Sequence, residues 1–281
     1  MDYRTFGPTR RQVSAVGQGT WNLERDDRRA AVAALRRGLD SGMSHIDTAE
    51  MYGDGRVEER VREAIEGRRP EVFLVSKVLP QNASRQGTVQ ACERSLRRLG
   101  TDFLDCYLLH WPSRHPLAGT LAAFEELREA GKIKSWGLSN FDEEELAEAL
   151  RIAGEGKVAC NQVFYHLQER AIEHAVIPFC EQHGIAVVAY SPFGSGDFPA
   201  PRTPGGRVLA EIAAAHGATP HQIALAFLLR NGSLFAIPKA GRPEHAEANA
   251  AAAEIALTDE ELARIDEAFP RGPRRPGVPT I

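Results

Sequence analysis

Four side chains of complementary chemistry stand in the first half of the chain: Asp47, Tyr52, Lys77 and His110. A phenol, with a pKa of about 10 in water, is a poor acid at neutral pH, but a neighbouring ammonium stabilises its phenolate. Lys77 can be that ammonium. Asp47 can keep it charged and oriented, and His110 can donate a hydrogen bond to a substrate oxygen beside Tyr52. Together they would polarise a carbonyl group and hand it a proton. Taken singly, each has a plainer explanation: a structural ion pair for Asp47 with Lys77, a loop anchor for Tyr52, a satisfied buried histidine for His110.

This set carries no hydride, so a reduction would need a second component. Ser139-Asn140, Gln162 and Tyr190-Ser191 offer amide donors, amide acceptors and a flat aromatic face. That is a suitable wall for a carboxamide-bearing ring such as nicotinamide. Further on, Ile237-Pro238-Lys239-Ala240-Gly241-Arg242 is followed by His245 and Asn249. Lys239 and Arg242 suit a phosphate monoester, although each alone reads as a solvated surface charge. Trp21, Met51, Tyr52, His110 and Trp111 are the expected walls of a substrate pocket that favours flat or apolar carbonyls.

These residues need a scaffold that brings them to one rim, and the chain repeats in a way that supplies it. Eight apolar, β-branched runs recur: 15–19, 44–47, 72–77, 103–110, 133–139, 158–163, 185–190 and 234–238. Most successive starts lie about 25 to 31 residues apart, the length of a strand, a helix and two turns. The segments between carry apolar stripes at helical spacing, such as Val32, Leu35 and Leu39, or Val57, Val61 and Ile65. Asp142 with Glu145, and Thr258 with Glu261, match the capping box that opens a helix. Gly42, Gly67, Gly100, Gly131 and Gly184 stand where helices should stop. The longer interval before the last run holds two helical patterns, so one helix is extra. Tyr3–Phe6 and Gln12–Ser14, flanking Gly7-Pro8, predict a small hairpin over one end. The expectation is an α/β chain, residues 1–281 as a single (β/α)8 TIM barrel with an N-terminal β-hairpin cap and extra helices.

The bulk properties are consistent with this. The chain has 281 residues, 34 Lys+Arg against 38 Asp+Glu and a formal charge of −4, with 43% apolar residues. Near charge balance predicts neither nucleic acid nor anionic membrane as a partner. No apolar run reaches the roughly 20 residues needed to cross a bilayer. The polar N-terminus shows no secretory signal, and four scattered cysteines predict core thiols, so the cytoplasm is the expected compartment and no metal is expected. Oligomeric state is left open, with a monomer favoured.

The strand-end residues resemble the aldo-keto reductase family over nearly the whole chain. The likeness rests on seven segments in order: Gly42-Met-Ser-His-Ile-Asp-Thr-Ala-Glu-Met-Tyr-Gly53, Val75-Ser-Lys77, Asp105-Cys-Tyr-Leu-Leu-His-Trp-Pro112, Gly137-Leu-Ser-Asn-Phe141, Asn161-Gln162, Ala189-Tyr-Ser-Pro192 and Ile237-Pro-Lys239. The resemblance implies NADPH-dependent reduction of aldehydes or ketones to alcohols, without a metal. By position, Tyr52 resembles the proton donor, Lys77 and Asp47 its activating pair, and His110 the residue that orients the carbonyl. Tyr190 resembles the ring that stacks on nicotinamide, with Ser139, Asn140 and Gln162 at the carboxamide and Trp21 beside the cofactor. Ser191, Phe193 and Ser195 fall in the stretch that crosses the pyrophosphate. Ile237, Pro238, Lys239, Ala240, Arg242, His245 and Asn249 fall at the adenosine end. There the chain departs from the family: Ala240 replaces a frequent Ser or Thr, His245 a frequent Arg, and Ala248 a frequent Glu. NADPH is favoured over NADH, which stays admissible. Two other classes fit the scaffold: a nucleotide-binding regulatory subunit with little turnover, and a Schiff-base aldolase using Lys77.

Overall fold

The computed structural model describes residues 1–281. A two-stranded hairpin comes first, β1 (Tyr3–Thr5) paired antiparallel with β2 (Gln12–Ser14). Eight parallel strands follow in sequence order: β3 (Gln18–Gly19), β4 (His45–Asp47), β5 (Phe73–Val78), β6 (Leu104–Leu109), β7 (Ile133–Ser139), β8 (Val158–Phe164), β9 (Ala186–Tyr190) and β10 (Leu234–Ile237). Single bridges, Val16 to Ala236 and Gly19 to Lys239, close the sheet into a barrel.

The expected first strand, 15–19, is regular only over its last two residues, because its outer side meets β10 through isolated bridges rather than a continuous ladder. Glycines allow close approach on both flanks of this segment, Gly19 toward β10 and Gly17 toward His45 of β4. A Cβ on Gly19 would stand 2.4 Å from the Ile237 carbonyl oxygen, and one on Gly17 would meet the His45 ring at 2.9 Å.

Helices α1 (Arg28–Asp40), α2 (Arg56–Ile65), α3 (Arg85–Leu99), α4 (Leu117–Glu129), α5 (Glu143–Ala153) and α6 (Val176–Gln182) alternate with the strands. The extra helix is present: α7 (Pro204–Ala215) and α8 (Pro220–Leu228) both precede β10, and α9 (Pro243–Ala251) and α10 (Asp259–Ala268) follow it. Both expected capping boxes form, and a third, Thr219 with Gln222, opens α8. The five expected stop glycines all adopt positive φ, between 62° and 86°, the conformation that ends a helix at little steric cost to glycine.

Side chains on a strand alternate between faces, so the barrel has two separate cores. The larger one lies between strands and helices and takes Leu74, Val78, Tyr107 and Leu109. The inner one contains Phe73, Val75, Cys106, Leu108, Val188 and Phe235, and Phe6 from the hairpin plugs its lower end, 4.8 Å from the Phe73 ring and 5.0 Å from that of Phe235. Extending each inner series by two residues gives the rim: Phe73, Val75, then Lys77; Cys106, Leu108, then His110; Cys160, then Gln162; Ala186, Val188, then Tyr190. The alternation that packs the barrel therefore also aims these polar groups at its C-terminal mouth.

Candidate active site

The four residues expected to act together do meet. Lys77 Nζ donates to Asp47 Oδ1 at 2.5 Å, to the Thr48 carbonyl at 2.9 Å and to the Tyr52 hydroxyl oxygen at 3.3 Å. Lys77 is fully buried and Asp47 only 1% exposed, so the ammonium has exchanged water for three oxygen acceptors. Asp47 Oδ2 accepts from Gln162 Nε2 at 2.8 Å. The Tyr52 ring lies edge-on to His110, 5.8 Å between centroids, and His110 stacks on Trp111 at 4.0 Å.

Protonation states follow from these contacts. Burial pushes the Tyr52 phenol above its ordinary value and Lys77 only partly opposes it, so the net direction is opposite to that expected from the lysine alone. Burial would lower the Lys77 ammonium, but Asp47 and Tyr52 outweigh it and hold Lys77 above its usual value. At neutral pH the pair is therefore a charged lysine beside a protonated phenol. Burial, reinforced by Lys77, holds His110 well below the ordinary imidazole value. It is a neutral ring with a single N–H. Its Nδ1 is buried without a partner, which leaves Nε2 as the nitrogen able to meet a ligand.

The loop carrying Tyr52 is held from outside the barrel. Glu50 Oε1 accepts from the Leu79 backbone N–H and from Asn82 Nδ2, both at 2.9 Å, and Arg94 lies 3.3 Å from Oε2. This buried acid fastens the turn after β4 to the turn after β5, and so sets Tyr52 against Lys77. Sequence reading missed Glu50, because its partners lie about thirty residues away in the chain and only the barrel brings them near.

A cavity of about 260 Å³ opens above this group. Asp47, Tyr52 and His110 form its floor, and Trp21, Met51 and Trp111 stand on one side. Ser139, Asn140, Gln162, Tyr190, Ser191, Ile237 and Lys239 border it on the other strands. Asn140 is bonded at both ends of its amide: its Oδ1 accepts from the Tyr190 hydroxyl at 2.9 Å, and its Nδ2 donates to the His110 carbonyl at 3.0 Å and to Ser139 Oγ at 3.2 Å. The wall is therefore one connected network. Phe164 stacks behind Tyr190 at 5.6 Å, and Ile281 from the irregular tail reaches the mouth; neither was foreseen.

Phe193, Ser195, Pro238, Ala240, Arg242, His245 and Asn249 do not border this cavity. They lie in the segments after β9 and β10, with His245 and Asn249 on α9. Phe193 packs edge-on against His221, and His221 stacks on Phe198 at 3.8 Å. Arg242 Nη2 lies 2.9 Å from His245 Nε2, and Asn249 is buried on α9. Of the six non-glycine residues with positive φ, five (Asn22, Asp54, Asn140, Ser191 and Ser195) lie in turns at the strands' C-terminal ends. Backbone strain of this kind costs of order 1–3 kcal/mol per residue and persists where surrounding structure imposes it.

Residues 15–269 match the family model described as Aldo/keto reductase family. The chain belongs to that family. It is 46% identical over 260 residues to methylglyoxal reductase YeaE of Escherichia coli (strain K12), covering 92% of each chain. It is 33% identical to a 9,11-endoperoxide prostaglandin H2 reductase of Trypanosoma cruzi (strain CL Brener), over 91% of this chain and 88% of the relative. An aldo-keto reductase from Klebsiella pneumoniae crystallised in complex with NADPH superposes over the full length of both chains, with a TM-score of 0.93 at 43% identity. The site described above thus sits on an aldo/keto reductase barrel, and the protein is an oxidoreductase of that family.

Proposed function

We propose that the protein reduces aldehydes or ketones to alcohols with NADPH, with Tyr52 as the general acid. One observation carries this reading. Lys77 donates its hydrogen to the Tyr52 oxygen, so the phenolic hydrogen is not spent on the lysine and is free to point into the cavity. A carbonyl oxygen placed between that hydroxyl and His110 Nε2 would receive two hydrogen bonds, and as negative charge grows on it, the Tyr52 proton transfers. The phenolate left behind faces a buried ammonium that is already in place. Asp47 keeps that ammonium charged, and the burial of the pair strengthens the interaction.

The residues present fit a nicotinamide dinucleotide. Tyr190 offers a flat face at the cavity wall, and Gln162 retains a free amide oxygen for a carboxamide. Lys239 and Arg242 follow β10 and are the cations that would meet a 2′-phosphate. When bound, the cofactor supplies a hydride to the carbonyl carbon. Trp21, Met51 and Trp111 leave room for a small carbonyl compound, and the likeness to a methylglyoxal reductase makes 2-oxoaldehydes the first candidates.

In this reading the whole chain acts as one barrel domain, as a monomer in the cytoplasm. Four unpaired, buried cysteines support a reducing compartment, and no helix is long and apolar enough to cross a membrane. The test is NADPH oxidation across a panel of 2-oxoaldehydes, aliphatic and aromatic aldehydes and ketones. Steady turnover of at least one class is expected. Cofactor binding with no turnover of any would overturn the proposal and leave a nucleotide-binding regulator.

A further inference from the structure

The two cations assigned to a phosphate are both already engaged by acids. Arg242 Nε lies 3.4 Å from Glu244, but both side chains are largely exposed, and such a pair is weak and readily exchanged. The partner of Lys239 is different. Lys239, after β10, is ion-paired with Asp26, which comes from the turn after β3 on the opposite side of the barrel seam. Both side chains are about one-third exposed or less.

Asp26 is held where it is. Arg60, on α2, donates to the carbonyls of Leu23, Glu24 and Asp26, which pins the turn by its backbone. The carboxylate then packs over Gly241, where a Cβ would stand 2.6 Å from Oδ2. A side chain at 241 would push Asp26 away, whereas glycine leaves it room. The backbone that carries the acid is therefore pinned, and its carboxylate sits over Gly241 facing Lys239.

We propose that Asp26 is a selectivity residue for the dinucleotide: by holding Lys239 it weakens binding of the 2′-phosphate and narrows the preference for NADPH over NADH. The inference rests on the reading above that Lys239 serves that phosphate. The phosphate must compete with the Asp26 carboxylate for one ammonium, and the two anions repel each other at close range. A dinucleotide without the 2′-phosphate leaves the ion pair undisturbed. Asp26 is a positioning residue in this scheme, acting through Lys239 and touching no reacting atom.

The test is equilibrium binding of NADP+ and NAD+, followed by protein fluorescence and calorimetry, to the full chain and to Asp26→Asn, Lys239→Met and the double variant. Asn keeps the shape of Asp26 and removes only its charge. The expected result is NADP+ bound about 3- to 10-fold more tightly by Asp26→Asn, with NAD+ changed less than about 2-fold. The gain should vanish in the Lys239→Met background. NADP+ affinity unchanged or weakened by Asp26→Asn, or a gain shared equally by NAD+, would overturn the assignment. So would a gain that survives removal of the lysine. The underlying reading is checked separately by Lys239→Met alone: equal losses for both dinucleotides would show that Lys239 does not serve the 2′-phosphate, and would remove both.

Discussion

Gln162 donates to the one oxygen of Asp47 that Lys77 does not take, at 2.8 Å. The side chain proposed for the nicotinamide wall is thereby bonded to the carboxylate that keeps the ammonium charged. Replacing it with methionine leaves a buried carboxylate oxygen without a donor, and a lost hydrogen bond to a charged group costs about 1.5–3 kcal/mol. For a chain of this length the melting temperature should fall by about 3–5 °C. The kcat should also fall at least about 10-fold, since Asp47 no longer holds Lys77 in one orientation. A melting curve and steady-state rates check both; an unchanged melt would show that the bond contributes nothing to Asp47.

Tyr52→Phe removes the proposed proton donor and little else, because the ring still packs against His110 and Lys77 still bonds Asp47 and the Thr48 carbonyl. General acids contribute about 10²–10⁴-fold, and a loss of that size in kcat is expected. Dinucleotide affinity should stay within about 2-fold, since no charge is removed from the wall. Fluorescence titration alongside turnover separates the two, and near-normal turnover would assign the acid elsewhere.

The pH profile of reduction should be flat through neutrality. Tyr52 sits above its ordinary value, so its acid form persists to higher pH and the rate should fall only on the alkaline side. His110 is held well below the usual imidazole value and does not titrate in the neutral range. No inflection near pH 6.5 is expected in kcat/KM. Lys77→Met removes the cation that opposes the rise, so the alkaline limb should move upward in pH while the plateau drops. A limb that moves down instead would mean that the lysine does not act on the phenol.

Much of this site was legible before any coordinates. Asp47, Lys77 and His110 could be placed at a common rim because period-two alternation and a steady repeat locate strand ends, and Tyr52 follows a strand closely enough to be carried with it. What could not be read was pairing at a distance. The Glu50 clamp, the Asp26–Lys239 pair and Phe164 behind Tyr190 join segments from 26 to 213 residues apart, and no local pattern encodes which turns face each other. Nor does sequence show the balance between burial and charge at Tyr52. The lysine was visible, but the desolvation that outweighs it depends on packing. The shortened β3 is a further case, since the seam with β10 is set by how closely two backbones approach at Gly19.

His45 gives a prediction about stability, not catalysis. It lies at the lower end of the inner core, edge-on to Phe6 at 5.7 Å and to Phe73 at 5.6 Å, and neither ring nitrogen has a partner. Burial lowers its pKa from 6.5 to about 4, with Asp47 partly opposing. Between those values the unfolded chain binds a proton that the folded chain refuses, so stability falls as pH drops from about 6.5 to about 4. The loss from this residue approaches about 3 kcal/mol, at 1.36 kcal/mol per pKa unit. His45→Leu removes the titrating group, and with it two unsatisfied nitrogens, at similar volume, a change that is nearly neutral or stabilising at pH 7. Urea unfolding from pH 7 to pH 4 should then show a shallower acid decline in the variant. Parallel declines would place the acid sensitivity in other groups.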